Sequence, residues 1–149
     1  MIDAILSRAA RLALDNAGYS SERTIDVGPF ARAYQKEGFT ASPSVWRFLE
    51  SYGGLRFSLP HPKHPTVTLA FDFDPVRAAS STYPEKVDDL AARAGAPLCP
   101  IGQALGGVLL MDSSGAVYSA LDEWFVKLGS SGEEAIEALC VGLSGTVMP

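Results

Sequence analysis

The stretch "WRFLESYGGLRFSL" (Trp46–Leu59) decides how the chain is read. Up to Tyr52 its apolar residues recur at helical spacing: Phe48, Leu49 and Tyr52 share a side with Val45 just upstream, and Trp46 lies on the flank. After Gly53-Gly54 the period changes to two. Leu55, Phe57 and Leu59 alternate with Arg56 and Ser58, as in a half-buried strand. The glycine pair is therefore a joint from helix to strand. A phosphate-cradling loop has the opposite order, strand, glycines, helix, because the anion rests on a helix N-terminus. No lysine follows in the required position, and "IGQALGG" (Ile101–Gly107), which also leads into a strand, lacks one too.

Toward the N-terminus, Ser42-Pro43 reads as a cap followed by proline at the first helical position. A short helix is expected after Gly28-Pro29, carrying Phe30, Ala33 and Tyr34. Ile2, Ile5, Leu6, Ala9, Leu12 and Ala13 form the apolar stripe of a first helix, which Gly18 stops.

Toward the C-terminus, the proline-rich Pro60–Pro65 segment is expected to be a loop, since proline gives no ladder hydrogen bond. "TVTLAFDFD" alternates again, with Val67, Leu69, Phe71 and Phe73 on one face and Asp72 and Asp74 on the other. A helix from Tyr83 to Ala94 carries Thr82 and Glu85 at capping-box spacing and stops at Gly95. "GVLLMD" and "GAVYSA" form a hairpin around Ser113-Ser114-Gly115. Leu121–Leu128 reads as another short strand or an irregular segment. Ser131 and Glu134 cap a last helix with Ile136, Leu139, Cys140 and Leu143 as its stripe. Strands cluster in the middle and helices at both ends. The expectation is a single α+β domain over residues 1–149 with a mainly antiparallel central sheet.

Composition is that of an ordinary globular chain: 47% hydrophobic and 19% charged residues, over 149 residues. Net charge is −5, which disfavours phosphate backbones and favours a basic partner. Cys99 and Cys140 lie far apart without CxxC spacing and read as free, buried thiols. Charges interrupt the N-terminal apolar residues every few positions, and no continuous apolar run exists. Neither signal peptide nor membrane span is expected, and the expected compartment is the cytoplasm.

His61 and His64, the only histidines, share the proline-rich loop without further zinc ligands, leaving a Ser-His-Asp or Cys-His centre few places to form. Asp72 and Asp74 have the spacing of paired carboxylates, which could hold a divalent metal or act as acid and base; they read rather as the polar face of a strand whose other face is core, with Asp74-Pro75 starting a turn. Glu133-Glu134 suits a helix N-terminus. Asp88-Asp89 and Asp122-Glu123 read as solvated positions or as an acidic face for a basic partner, with Tyr83 and Trp124 as anchors or as core. No metal, cofactor or catalytic residue is expected.

"AGYSSER" (Ala17–Arg23), "FLESYGGL" (Phe48–Leu55), "PIGQA" (Pro100–Ala104), "LLMDSSGAVYS" (Leu109–Ser119) and "LGSSGEEAIEALCVG" (Leu128–Gly142) occur in this order. The series resembles the SUKH superfamily, in particular its third branch, of bacterial immunity proteins. Tyr19 stands where that pattern usually has tryptophan. The resemblance implies fold-defining roles for Gly18, Tyr19, Gly53, Gly54, Gly102, Asp112 and Gly115. It implies a non-enzymatic protein that binds and neutralises a cognate toxin of a polymorphic toxin system, often a nuclease or deaminase. Within the same superfamily it also leaves open an adaptor or regulatory module. Partner-contacting residues vary in such families, so the contact candidates come from charge and aromatic content: Asp72, Asp74, Tyr83, Asp88, Asp89, Asp122, Glu123 and Trp124.

Overall fold

The computed structural model describes residues 6–104, 106–142 and 145–148. Among the described residues three helices come first: α1 (Arg8–Ala17), α2 (Gly28–Glu37) and α3 (Pro43–Tyr52). Strands β1 (Arg56–Pro60) and β2 (Thr68–Asp72) follow, then α4 (Pro75–Ser80) and α5 (Pro84–Ala94). The chain continues through β3 (Leu98–Ala104), β4 (Gly107–Asp112), β5 (Val117–Leu121), β6 (Trp124–Gly129), α6 (Gly132–Val141) and a short β7 (Thr146–Val147). All seven strands form one antiparallel sheet in chain order, β1-β2-β3-β4-β5-β6-β7. The class is α+β with helices toward both ends, as expected, and α5 falls where a helix from Tyr83 to Ala94 was expected; α4 and the short β7 after the last helix are additions.

The helix-to-strand joint forms as read. Val45, Phe48, Leu49 and Tyr52 are all buried, Gly53 is the residue after the helix, and Gly54 takes φ +83°. A side chain at Gly53 would meet the Phe30 ring at 2.6 Å, so the joint also lets α3 close on α2. Phe48 stands edge-on to Phe73, and Phe57 stacks on Phe71 with ring centroids 4.3 Å apart. This aromatic cluster fastens α3 to the first two strands.

Several expectations shift. The α1 stripe is rotated: Leu6, Ala10, Ala13 and Leu14 are buried, whereas Ala9 is exposed and Leu12 is 59% exposed. Ser7 accepts from the Ala10 N–H and so starts the helix at Arg8. Ile2, Ile5 and Leu143 lie outside the described residues. β2 ends at Asp72, so Asp74 shares no strand face with it; Asp74 instead caps α4 by accepting from the Val76 N–H at 3.1 Å. Val67 falls in the β1–β2 loop, whose closing bond runs from the His61 N–H to the Val67 carbonyl. It is 48% exposed rather than part of the core face. Pro60 belongs to β1, an edge strand, where its missing N–H is harmless.

The expected capping box at Thr82–Glu85 does not form. Pro84, without an N–H, takes the first helical position and makes Tyr83 the cap, so Thr82 sits one residue too early. Ser42 has cap geometry, yet its hydroxyl makes no cap bond. At α6 the signal holds: Ser131 Oγ accepts from the Glu134 N–H at 3.1 Å. β3 was masked in the sequence by Pro100 and Gly102, residues that normally argue against a strand. A bulge between those two positions absorbs the irregularity, and the Pro100 carbonyl accepts the Tyr34 hydroxyl. Gly102 is obligatory for a different reason: a Cβ there would collide with the Asp72 carbonyl of the neighbouring strand.

Candidate functional site

The β5–β6 hairpin is built by alternation across a two-residue turn. Leu121 pairs with Trp124 and Ser119 with Val126, so these four share one sheet face, which Val147 extends by pairing with Val126. Phe125 points the other way and is fully buried, with the Arg93 guanidinium of α5 5.1 Å above its ring. α5 therefore covers one face. The opposite face is left open beyond α6, where Trp124 is 64%, Val147 58% and Leu121 42% exposed. With Leu69, Leu139 and others these residues line an apolar groove of about 540 Å³. The structure thus resolves one ambiguity of the sequence, because neither Trp124 nor Tyr83, itself 57% exposed, belongs to the core.

Asp122 and Glu123 make the turn itself. Asp122 adopts φ +52° and is, among the described residues, the one non-glycine with positive φ. Aspartate tolerates that region better than most residues. Both side chains are exposed, and no lysine or arginine comes within ion-pair distance of either among the described residues.

On the face that α5 covers, Asp122 lines a small cleft of about 170 Å³ with Thr82, Lys86 and Gln103. That cleft shares Gln103 and Gly106 with a larger one of about 510 Å³, lined by Arg56, Asp72 and Arg77. A mixed-charge trough therefore runs from the β1 edge to the hairpin tip. Asp72 lies 3.5 Å from Arg77, and Asp74 lies 3.9 Å from Arg56. Each carboxylate is committed: Asp72 also accepts the Asp74 N–H, and Asp74 caps a helix. Asp88 and Asp89 lie exposed along α5.

The eight contact candidates thus separate by environment. Asp72 and Asp74 are paired and partly withdrawn, and Asp88 and Asp89 lie along a helix that packs on the sheet. Tyr83 precedes that helix beside Thr82 of the trough. Asp122, Glu123 and Trp124 stand together at a projecting tip, where polar trough and apolar groove meet. Reading single residues missed Leu121, Val67 and Val147, which complete the groove. The available signal was the pattern Ser119, Leu121, Trp124, Val126, which becomes one face once a two-residue turn is placed at Asp122-Glu123.

Cys99 and Cys140 are free and buried, and burial pushes both thiols up to about 12; a hydrogen bond with Tyr34 pulls Cys99 slightly back, while Glu137 pushes Cys140 further. Among the described residues, no group of three or more His, Cys, Asp and Glu side chains is placed to hold a metal ion. No described helix is long and apolar enough to cross a membrane.

The fold-defining residues implied by the motif series fall at structural positions. Gly18 ends α1 at φ +97°, and Tyr19 stacks on Tyr52 at 5.0 Å. Gly115, at φ +99°, closes the β4–β5 turn, and Asp112 holds it from within. No curated protein and no solved structure gave a match. The family model described as SUKH-3 immunity protein matches residues 6–142, which takes in every motif of the series and the whole hairpin, and the chain belongs to that family.

Proposed function

We propose that the chain, acting as one binding domain over residues 1–149, neutralises a cognate toxin of a bacterial polymorphic toxin system by stoichiometric binding in the cytoplasm. Its partner is a basic effector, a nuclease or deaminase, and the chain itself needs neither catalysis nor cofactor and binds no nucleic acid or membrane. Family membership supports the immunity role. The observation that carries the mode of action is the hairpin tip: an exposed Trp124 beside Asp122 and Glu123, two carboxylates with no ion-pair partner among the described residues. Aromatic anchors dominate interface energies, and unpaired rim charges speed the encounter with an oppositely charged partner. Covering a toxin's substrate surface requires nothing more.

The test is co-expression with the product of the open reading frame immediately upstream. Recovery of a basic protein in one-to-one amount, toxic when expressed alone and harmless in the complex, is the expected result. A harmless neighbour, or recovery of a housekeeping protein in its place, would overturn the reading.

A further inference from the structure

We infer that the apolar groove beside the hairpin tip seats a toxin segment in which a large aliphatic or aromatic side chain stands next to an arginine or lysine. The inference rests on the toxin-binding reading above and adds what the bound segment must look like. The groove has room for more than one large side chain, at about 540 Å³. Leu69 and Val126 lie on its sheet side and Leu139 on its α6 side, while Leu121, Trp124 and Val147 stand exposed at its mouth. Single exposed apolar residues are ordinary, but a concave and contiguous set is the mark of a binding groove.

The groove is apolar and neither Asp122 nor Glu123 lines it, yet these two make the turn between its lining residues Leu121 and Trp124. An apolar occupant alone would leave those carboxylates unused, and a purely basic one would leave the groove wet. A second copy of this chain is disfavoured by charge, since each copy carries −5 overall and would bring the same two acids to the interface. A segment with an apolar anchor and an adjacent cation satisfies both halves. His61 lines the far end, its ring lying 3.1 Å from where a Cβ on Gly142 would be, so the groove is closed there by the β1–β2 loop packing against the end of α6.

The test uses the purified upstream gene product and two charge insertions outside the core, Val67→Asp and Val147→Asp, each checked for an unchanged thermal melt. Each should weaken binding by about 30-fold or more, mainly through faster dissociation and equally at low and high salt. Asp122→Asn with Glu123→Gln should instead slow association and flatten the salt dependence. Wild-type affinity in both valine variants would overturn the groove while leaving toxin binding intact. A wild-type dimer in light scattering that Val147→Asp splits would assign the groove to a second copy and overturn it as well. If the wild-type chain binds no such product, the toxin-binding reading fails first and this inference falls with it.

Discussion

The Asp112 carboxylate accepts the Tyr118 hydroxyl at 2.9 Å across the hairpin it terminates. The same carboxylate accepts the Ser114 N–H and hydroxyl and the Ala116 N–H, at 2.6–3.0 Å. One buried carboxylate thus accepts from Ser114, Ala116 and Tyr118 while its own backbone carbonyl accepts the Gly115 N–H, and β5 leads directly into the tip proposed to bind toxin. Removing it strands two buried donors at once, the Ala116 N–H and the Tyr118 hydroxyl, which costs more than the bonds are worth individually. Asp112→Ala should destabilise the fold by about 3 kcal/mol, and Tyr118→Phe, which leaves the other donors satisfied, by about 1 kcal/mol. Urea unfolding of both variants measures the difference.

The same carboxylate sets an acid dependence. Burial alone would raise its pKa, but the hydrogen bonds from Ser114, Tyr118 and Ala116 outweigh burial and hold it below the ordinary value of 3.8. The folded state then releases this proton more readily than the unfolded chain does. Its contribution is complete above the unfolded value and disappears as pH falls through the lower folded value. Stability measured from pH 5 downward should fall less steeply in Asp112→Asn than in wild type; parallel curves would show that other carboxylates control the acid limb.

Two glycines separate steric need from conformational need. At Gly102 a side chain would strike the Asp72 carbonyl, and backbone in a central strand cannot step aside. At Gly115 nothing lies within 4 Å, and the cost is the positive φ alone. Gly102→Ala should therefore cost about 3 kcal/mol or more, against about 1 kcal/mol for Gly115→Ala. Thermal denaturation ranks the pair, and the reverse order would contradict the packing described.

Capping gives a second contrast. Ser131→Ala removes a formed cap and should cost about 1 kcal/mol. Thr82→Ala should be nearly neutral, since its buried hydroxyl caps nothing and has no hydrogen-bond partner among the described residues. Chemical denaturation of the two variants decides it.

The two capping signals had the same spacing in sequence, Ser131–Glu134 and Thr82–Glu85, and one residue separates their fates: Pro84. A local pattern is legible where nothing competes, as at the α3–β1 joint, where the period changes from helical to alternating on either side of Gly53-Gly54. It fails where tertiary packing compensates a poor local fit. β3 tolerates Pro100 and Gly102 because a bulge and a close strand approach accommodate them, and α1 turns its stripe to the side that packs on α6 and β1. The acidic residues were legible as a list but not as a site. Sequence cannot tell Asp72, held near Arg77, from Asp122, which has no ion-pair partner among the described residues. The groove depended on a turn position that apolar spacing alone left open.

Toxin binding at the hairpin tip is tested most directly by the association rate of the toxin with the wild-type chain and with an Asp122→Asn, Glu123→Lys variant, measured across a salt series. Asparagine keeps the positive φ at the turn accessible, so the fold is preserved while the tip loses its negative charge. The wild-type rate should fall steeply with salt, and the variant should be slowed by about tenfold or more at low salt, with the gap closing as salt rises. Equal rates at every salt concentration would contradict it and move the binding surface away from the hairpin tip.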